Sequence, residues 1–323
     1  MVQDTTAGYA TLTTDAGLVD FSGRGLLQLS GEDRVRFLNG QTTNDVASLQ
    51  PGRSIYSAFV NAKGRMRADG NILGFANWLW IDTEPGLGPT LAADLDKFII
   101  ADDVQVENLE SRFRRIAVIG PKAVEVLRTT GLEPPAEPGR FTEIPDGQFG
   151  PLIAFRRKFG PDVFYEIFCA ADRADRLEGA LRDAGAAPVE PGALELRRIE
   201  LGIPRFGADM DGNTLPPEAG IESSAISYTK GCYIGQEVIS RIKSVGHVNR
   251  HLVRMQFSGN SGPIPAASPL RLESAEVGRV TSAARVPGKG WIGLGYVKRG
   301  FGPDSGKLKG DGFEATILKD CSS

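Results

Sequence analysis

The sequence predicts an α+β protein that ends in a small all-β barrel or sandwich. Between residues 54 and 185, strand-like segments in antiparallel hairpins alternate with amphipathic helices, the pattern of ferredoxin-like layers. No GxGxxG follows a strand and no GxxxxGK[ST] occurs, so a doubly wound nucleotide-binding sheet is set aside. From 248 to 319 the chain carries only short apolar segments separated by Gly, Pro and Ser turns, with no helical period. Its 323 residues correspond to about two domains.

In chain order, Ser30-Gly31-Glu32-Asp33 resembles a capping box that opens a short helix ending near Gly40. Residues 54–60 and 66–75 read as strands around a turn at 61–64. An apolar strand at 78–82 and a helix at 92–100 follow. A second unit starts near Arg112, with a strand at 113–120 and a helix at 121–131 that has Pro121 in its first turn and Gly131 as its stop. The Pro- and Gly-rich stretch 133–151 reads as loop. Residues 163–170 form a buried strand, 171–185 a helix with Leu177 and Leu181 at i, i+4, and 193–202 a further helix.

Composition excludes several kinds of chemistry. Hydrophobic residues make up 41% of the chain and charged residues 24%, enough apolar material for packed cores. Lys and Arg number 37 against 40 acids, net −3, so a global basic field for nucleic acid or an anionic membrane is absent. No stretch approaches the roughly 18 apolar residues of a membrane span. The first 23 residues contain no Lys or Arg, which argues against secretory and mitochondrial signals and places the chain in the cytosol, with reduced thiols. Only Cys169, Cys232 and Cys321 occur, with no CxxC, so neither a zinc ribbon nor a self-contained cluster site is expected. His247 and His251 are the only histidines; they lie in an alternating segment that reads as a strand edge, not as a metal site. With no GxSxG elbow, serine hydrolase chemistry is also excluded.

The densest motif runs from 229 to 241, TKGCYIGQEVISR. Gly231 and Gly235 bracket Cys232-Tyr233-Ile234, letting the backbone turn and approach a ligand closely. Lys230 adjoins the thiol, and an ammonium nearby raises a cysteine's thiolate fraction. Gln236 and Glu237 follow where a helix can start, and a glutamate there is favoured by the helix dipole. Five basic residues (Lys230, Arg241, Lys243, Arg250 and Arg254) against the single acid Glu237 make 229–254 a local positive segment suited to a small anion. The alternative is a glycine-rich helix cap with Cys232 as a small buried hydrophobe.

Residues 230–237, KGCYIGQE, resemble the KGCYxGQE signature of the YgfZ family of folate-binding proteins, relatives of the glycine-cleavage T-protein. The resemblance covers most of the chain. Gly31-Glu32-Asp33-Arg34, Phe37-Leu38 and 41–46 (QTTNDV) are similar to the superfamily's GxDRxxFLxxQxTNDV pattern. Residues 198–204 resemble its RIExGxP segment, and 217–220 its PxEAG.

The resemblance implies a three-domain T-protein-like ring: a folate-binding region at 1–246 made of two interleaved α+β domains, and a C-terminal β-barrel at 247–323. It implies tetrahydrofolate, or a one-carbon derivative, as the cofactor. Glu166 corresponds to an acidic pterin partner. Arg198, Lys230 and Tyr233 are candidates for the anionic, aromatic tail, alongside Gly231, Gly235, Gln236 and Glu237 of the signature. The T-protein's GGIxDD-like acid pair is reduced here to Asp69, with Arg65 at the second glycine and Ala68 at one acid. Acid–base help in aminomethyl transfer would then rest on Asp69 alone. The expected function is therefore that of an accessory factor for iron–sulfur cluster assembly or repair in client proteins, with Cys232 as the active thiol. The alternative is a folate-dependent aminomethyltransferase.

Overall fold

The computed structural model describes residues 2–321, Ser261 excepted. Two compact units emerge, one of Met1–Ser57 with Asp69–Leu194 and one of Ala58–Ala68 with Glu195–Ser323. The first barrel strand begins at Arg250, three residues after the expected boundary.

The first unit holds two layers, antiparallel except where the edge strand Ala187–Pro188 runs parallel to Gly17–Asp20. A six-stranded sheet places Phe113–Ile119 between Gly17–Asp20 and Phe164–Ala170, with Leu152–Arg156 and Phe141–Ile144 beyond. A five-stranded sheet runs Arg53–Val60, Met66–Gly74, Leu79–Thr83, Gly25–Ser30, Gln105–Asn108. The tip of its first hairpin, 58–68, belongs to the second unit.

Successive strand side chains point to opposite faces, and this sorts the core. Tyr165, Ile167 and Cys169 share a cluster with Leu177 and Leu181 of the helix Ala174–Asp183. Phe168 instead joins Leu26, Trp80, Phe141 and Phe155 in an aromatic cluster drawn from both sheets. Arg115 and Glu166 alternate onto the face that carries Phe168, and the Arg115 guanidinium stacks 4.8 Å above that ring.

In the second unit six strands close a barrel in the order Arg250–Ser258, Gly290–Lys298, Ala275–Val286, Pro269–Leu272, Lys307–Gly310, Phe313–Asp320. Gly293 is needed there, since a Cβ would lie 2.4 Å from the Phe257 ring. The α+β first unit and the closed barrel bear out the expected fold class.

Four local expectations are corrected. The first short helix is Arg34–Gln41, and Ser30 ends a strand instead of capping it. Asp33 has no side-chain cap bond; its carboxylate accepts the Asp103 amide. The helix at 92–100 is Gly88–Asp96, where Pro89 starts it and Leu91 and Leu95 are buried. Residues 133–151 contain the strand Phe141–Ile144, recruited by pairing with Leu152–Arg156. The helix Val2–Thr14 has almost no amphipathic pattern to announce it; it sits so close to Ala193 that a Cβ on Gly8 would approach to 2.9 Å.

Candidate functional site

In the first unit, three arginines and two carboxylates are withdrawn from water together, with Glu84 half-buried at their edge. Arg115 projects from the six-stranded sheet, Arg157 follows that sheet's strand Leu152–Arg156, Asp82 projects from the five-stranded sheet, and Arg24 precedes its strand Gly25–Ser30. Arg115 Nε donates to Glu166 Oε1 at 2.6 Å, and Arg157 Nη2 to Glu166 Oε2 at 2.6 Å. Asp82 accepts from Arg24 Nε at 3.0 Å and also from Arg115 and Arg157. Arg24 further pairs with Glu84. Burial would push Asp82 up, but Arg157, Arg24 and Arg115 outweigh it and hold the carboxyl well below its usual range.

A fourth carboxylate has no guanidinium of its own. Asp69, on Met66–Gly74, is 7% exposed. Tyr56 donates its hydroxyl to Oδ2, while Oδ1 has no hydrogen-bond partner. Burial, and then the charge of Glu84, raise Asp69 to about 7. The 41–46 motif reaches this pair through the backbone: Asn44 Nδ2 donates to the Tyr56 carbonyl at 2.8 Å, and the Ser57 hydroxyl accepts the Asn44 amide at 3.0 Å. A buried acid poised near neutrality, with one open oxygen, can take or give a proton.

In the second unit the 230–237 motif folds as a loop into the helix Gln236–Val245. Gly235 caps that helix at φ 80°, and a Cβ there would lie 2.5 Å from the Asn61 carbonyl, so only glycine fits. Lys230 and Tyr233 turn inward, with the ammonium 5.0 Å from the Tyr233 ring centroid. Gly231 and Cys232 between them face outward, and Cys232 is an exposed free thiol. The buried-hydrophobe alternative therefore fails for Cys232 and describes Cys169, whose thiol burial raises to about 11. Gln236 is half-buried and Glu237 exposed in the first helical turn. The Tyr233 hydroxyl is buried without a partner, and burial raises it to about 12.

Arg198 is held entirely by its own unit. Nε and Nη2 grip Glu195, Nη1 donates to Asp209 at 2.6 Å and to the Ile203 carbonyl at 3.2 Å, and Nη2 reaches Ser282 at 3.0 Å. All five guanidinium N–H groups are engaged.

A family model described as the GCVT N-terminal domain matches residues 1–230. The chain belongs to the GCVT family. It is 29% identical over 298 residues to an aminomethyltransferase of Bacillus subtilis (strain 168), covering 90% of this chain and 81% of that protein. It is also 29% identical over 329 residues to an aminomethyltransferase of a Nostoc species, covering 97% and 86%. In fold it resembles the glycine cleavage system aminomethyltransferase T of Bartonella henselae, with a TM-score of 0.88 at 23% identity, covering 98% and 89%.

A reduced folate, the cofactor such a fold implies, brings N–H donors on its pterin and carboxylates on its tail. Within the first unit, Asp69 Oδ1 is a buried acceptor that fits the first need. Glu166 fits it less simply, because its four acceptor positions are taken by Arg115 and Arg157, one of which would have to let go. Within the second unit, Lys230 and Tyr233 bring a cation and an open hydroxyl. Arg198 has no donor left for a tail. Asp82, Arg24, Arg115, Arg157 and Tyr56 were not singled out by sequence. For Asp82 and Arg115 the signal was a charge inside an apolar run, one in LWIDT and two in FRRIAVI, as Glu166 is in FYEIFCA.

Among the described residues no group of three or more His, Cys, Asp or Glu side chains is placed to hold a metal ion, and no helix is long and apolar enough to cross a membrane.

Proposed function

We propose that this GCVT-family chain binds tetrahydrofolate, or a one-carbon derivative of it, and serves iron–sulfur proteins of the cytoplasm as a folate-dependent accessory factor of the YgfZ type. The observation that carries this reading is the outward presentation of Cys232 between the inward anchors Lys230 and Tyr233. A thiol kept only for packing would point the other way, as Cys169 does. With no ligand cluster among its described residues, the chain would share any iron–sulfur group with a client or assembly protein as cargo. Ala68, fully buried, stands where transfer chemistry would use an acid, which supports an accessory role over turnover.

The test is complementation in a strain lacking the protein. Cys232→Ala should fold, retain folate affinity within about twofold in calorimetry, and fail to restore iron–sulfur enzyme activity. Full restoration by the variant would remove the thiol from the mechanism.

A second reading, folate-dependent aminomethyl transfer, has its own support. The relatives named above are aminomethyltransferases, and Asp69 is raised to about 7, where a general acid–base group works best at neutral pH. Sustained turnover of an aminomethyl donor with tetrahydrofolate, abolished by Asp69→Asn, would make this the function.

A further inference from the structure

Arg65, which sits in place of a glycine in the hairpin-tip segment, lies beside Arg250 in the second unit, where both converge on Glu218. Glu218 is 5% exposed and its Oε2 is 3.1 Å from Arg250 Nη2, 3.2 Å from Arg250 Nε and 3.7 Å from Arg65 Nη1. The Asn213 carbonyl ties the two together, accepting from Arg65 Nη1 at 2.5 Å and from Arg250 Nη2 at 3.1 Å. The Arg250 guanidinium also lies 4.5 Å from the Tyr296 ring centroid, which fixes its plane.

These bonds leave donors over. Arg65 Nε and Nη2, and Arg250 Nη1, have no acceptor among the described residues, and the side chains are 38% and 26% exposed. The surrounding charge does not cancel. Asp211 is held below the usual carboxylate range; burial opposes this, while the Asn213 amide, the Thr214 hydroxyl, Arg279 and Arg250 produce it. Arg65 and Arg250 pair with Glu218, and the charges of Arg250 and Arg279 act on Asp211, three cations against two carboxylates. Two planar forks with open N–H groups and one excess positive charge match an oxyanion bidentately.

We infer that Arg65 and Arg250, braced on Glu218 and Asn213, form a binding site for a carboxylate or phosphate group of a small anionic ligand. The site is complete within the second unit, goes beyond the folate reading and stands without it. Glu218 acts as the brace that holds the two forks side by side, and the excess charge supplies the attraction.

Isothermal titration of the full chain with tri-γ-glutamate and, separately, with inorganic phosphate tests this. At least one should bind at a single site, and the tighter of the two identifies the source of the oxyanion. Arg65→Gln and Arg250→Gln should each weaken that binding about tenfold, the effect of one charge-assisted hydrogen bond, and Arg65→Lys less. Arg271→Gln, an exposed barrel arginine paired with Asp311, should leave it within twofold. If Arg250→Gln fails to fold because Glu218 loses its partner, Arg65→Gln carries the test by itself. No binding of either anion, or binding unchanged in Arg65→Gln, overturns the site.

Discussion

The arginines of the first unit and those around Glu218 in the second face the same physical problem, a carboxylate taken out of water, and they end in different states. Between the two sheets, Arg24, Arg115 and Arg157 meet Asp82, Glu84 and Glu166 in equal number, so the charges close among themselves, although Arg24 and Arg157 each keep two N–H groups beyond these bonds. Around Glu218, one buried carboxylate holds two guanidiniums that keep donors facing solvent. What separates them is charge balance and exposure: the first is matched three to three with its arginine side chains at most 10% exposed, the second sets two guanidiniums 38% and 26% exposed on one carboxylate. Arg198 falls on the closed side, a motif arginine whose five donors all end inside its own unit.

The closed cluster offers the largest test of that contrast. Arg115→Met removes both donors to Glu166 Oε1 and one to Asp82, leaving buried charge uncompensated. Breaking a buried pair from one side costs about 3–5 kcal/mol, to be read as lost stability in urea denaturation. Arg65→Gln, at a partly exposed pair, should cost no more than about 1 kcal/mol by the same measurement. Equal losses would mean that the two regions do not differ as described.

Asp69 stands at the margin of the closed cluster, the acid left without a cation. Its folded-state value of about 7 lies above the ordinary aspartate value of 3.8. Raised affinity for the proton favours the folded chain while the proton is held. This stability is fully present below about pH 4 and is lost as pH rises to 7, on the order of 4 kcal/mol in all. Asp69→Asn, which keeps an acceptor for Tyr56, removes the titration. The variant should therefore gain on the wild-type chain as pH goes from 5 to 8 in paired urea curves. Parallel pH profiles would show that Asp69 ionises as an ordinary carboxylate.

How much of this was legible depended on range. Strands with a period of 2 and helices with Leu177 and Leu181 at i, i+4 are local patterns, and they predicted most elements and the fold class. Phe141–Ile144 was hidden because Pro and Gly flank it and only its partner strand makes it a strand. Val2–Thr14 lacked an apolar stripe, since its contact with Ala193 runs through Gly8. The charge cluster was half legible. An Arg, Asp or Glu in an apolar run marks a buried charge, but the partners come from positions 51 and 75 apart in sequence, set by the pairing of separate strands. No local rule says that Arg115 meets Glu166 while Arg65 stays open.

The smallest predicted effect isolates the open state in a single atom. The Tyr233 hydroxyl is buried and has no acceptor, so folding has stripped it of water with nothing in return. Deleting an unsatisfied buried donor relieves a desolvation cost instead of breaking a bond. Tyr233→Phe should therefore leave stability unchanged or raise it by up to about 1 kcal/mol. If the hydroxyl instead is kept for a ligand, the same variant should bind tetrahydrofolate about 1 kcal/mol more weakly in calorimetry. The two readouts move in opposite directions only if the group is placed for binding. A loss of stability with unchanged affinity would mean that Tyr233 has an acceptor within the fold, and that the signature loop is closed in the manner of Arg198.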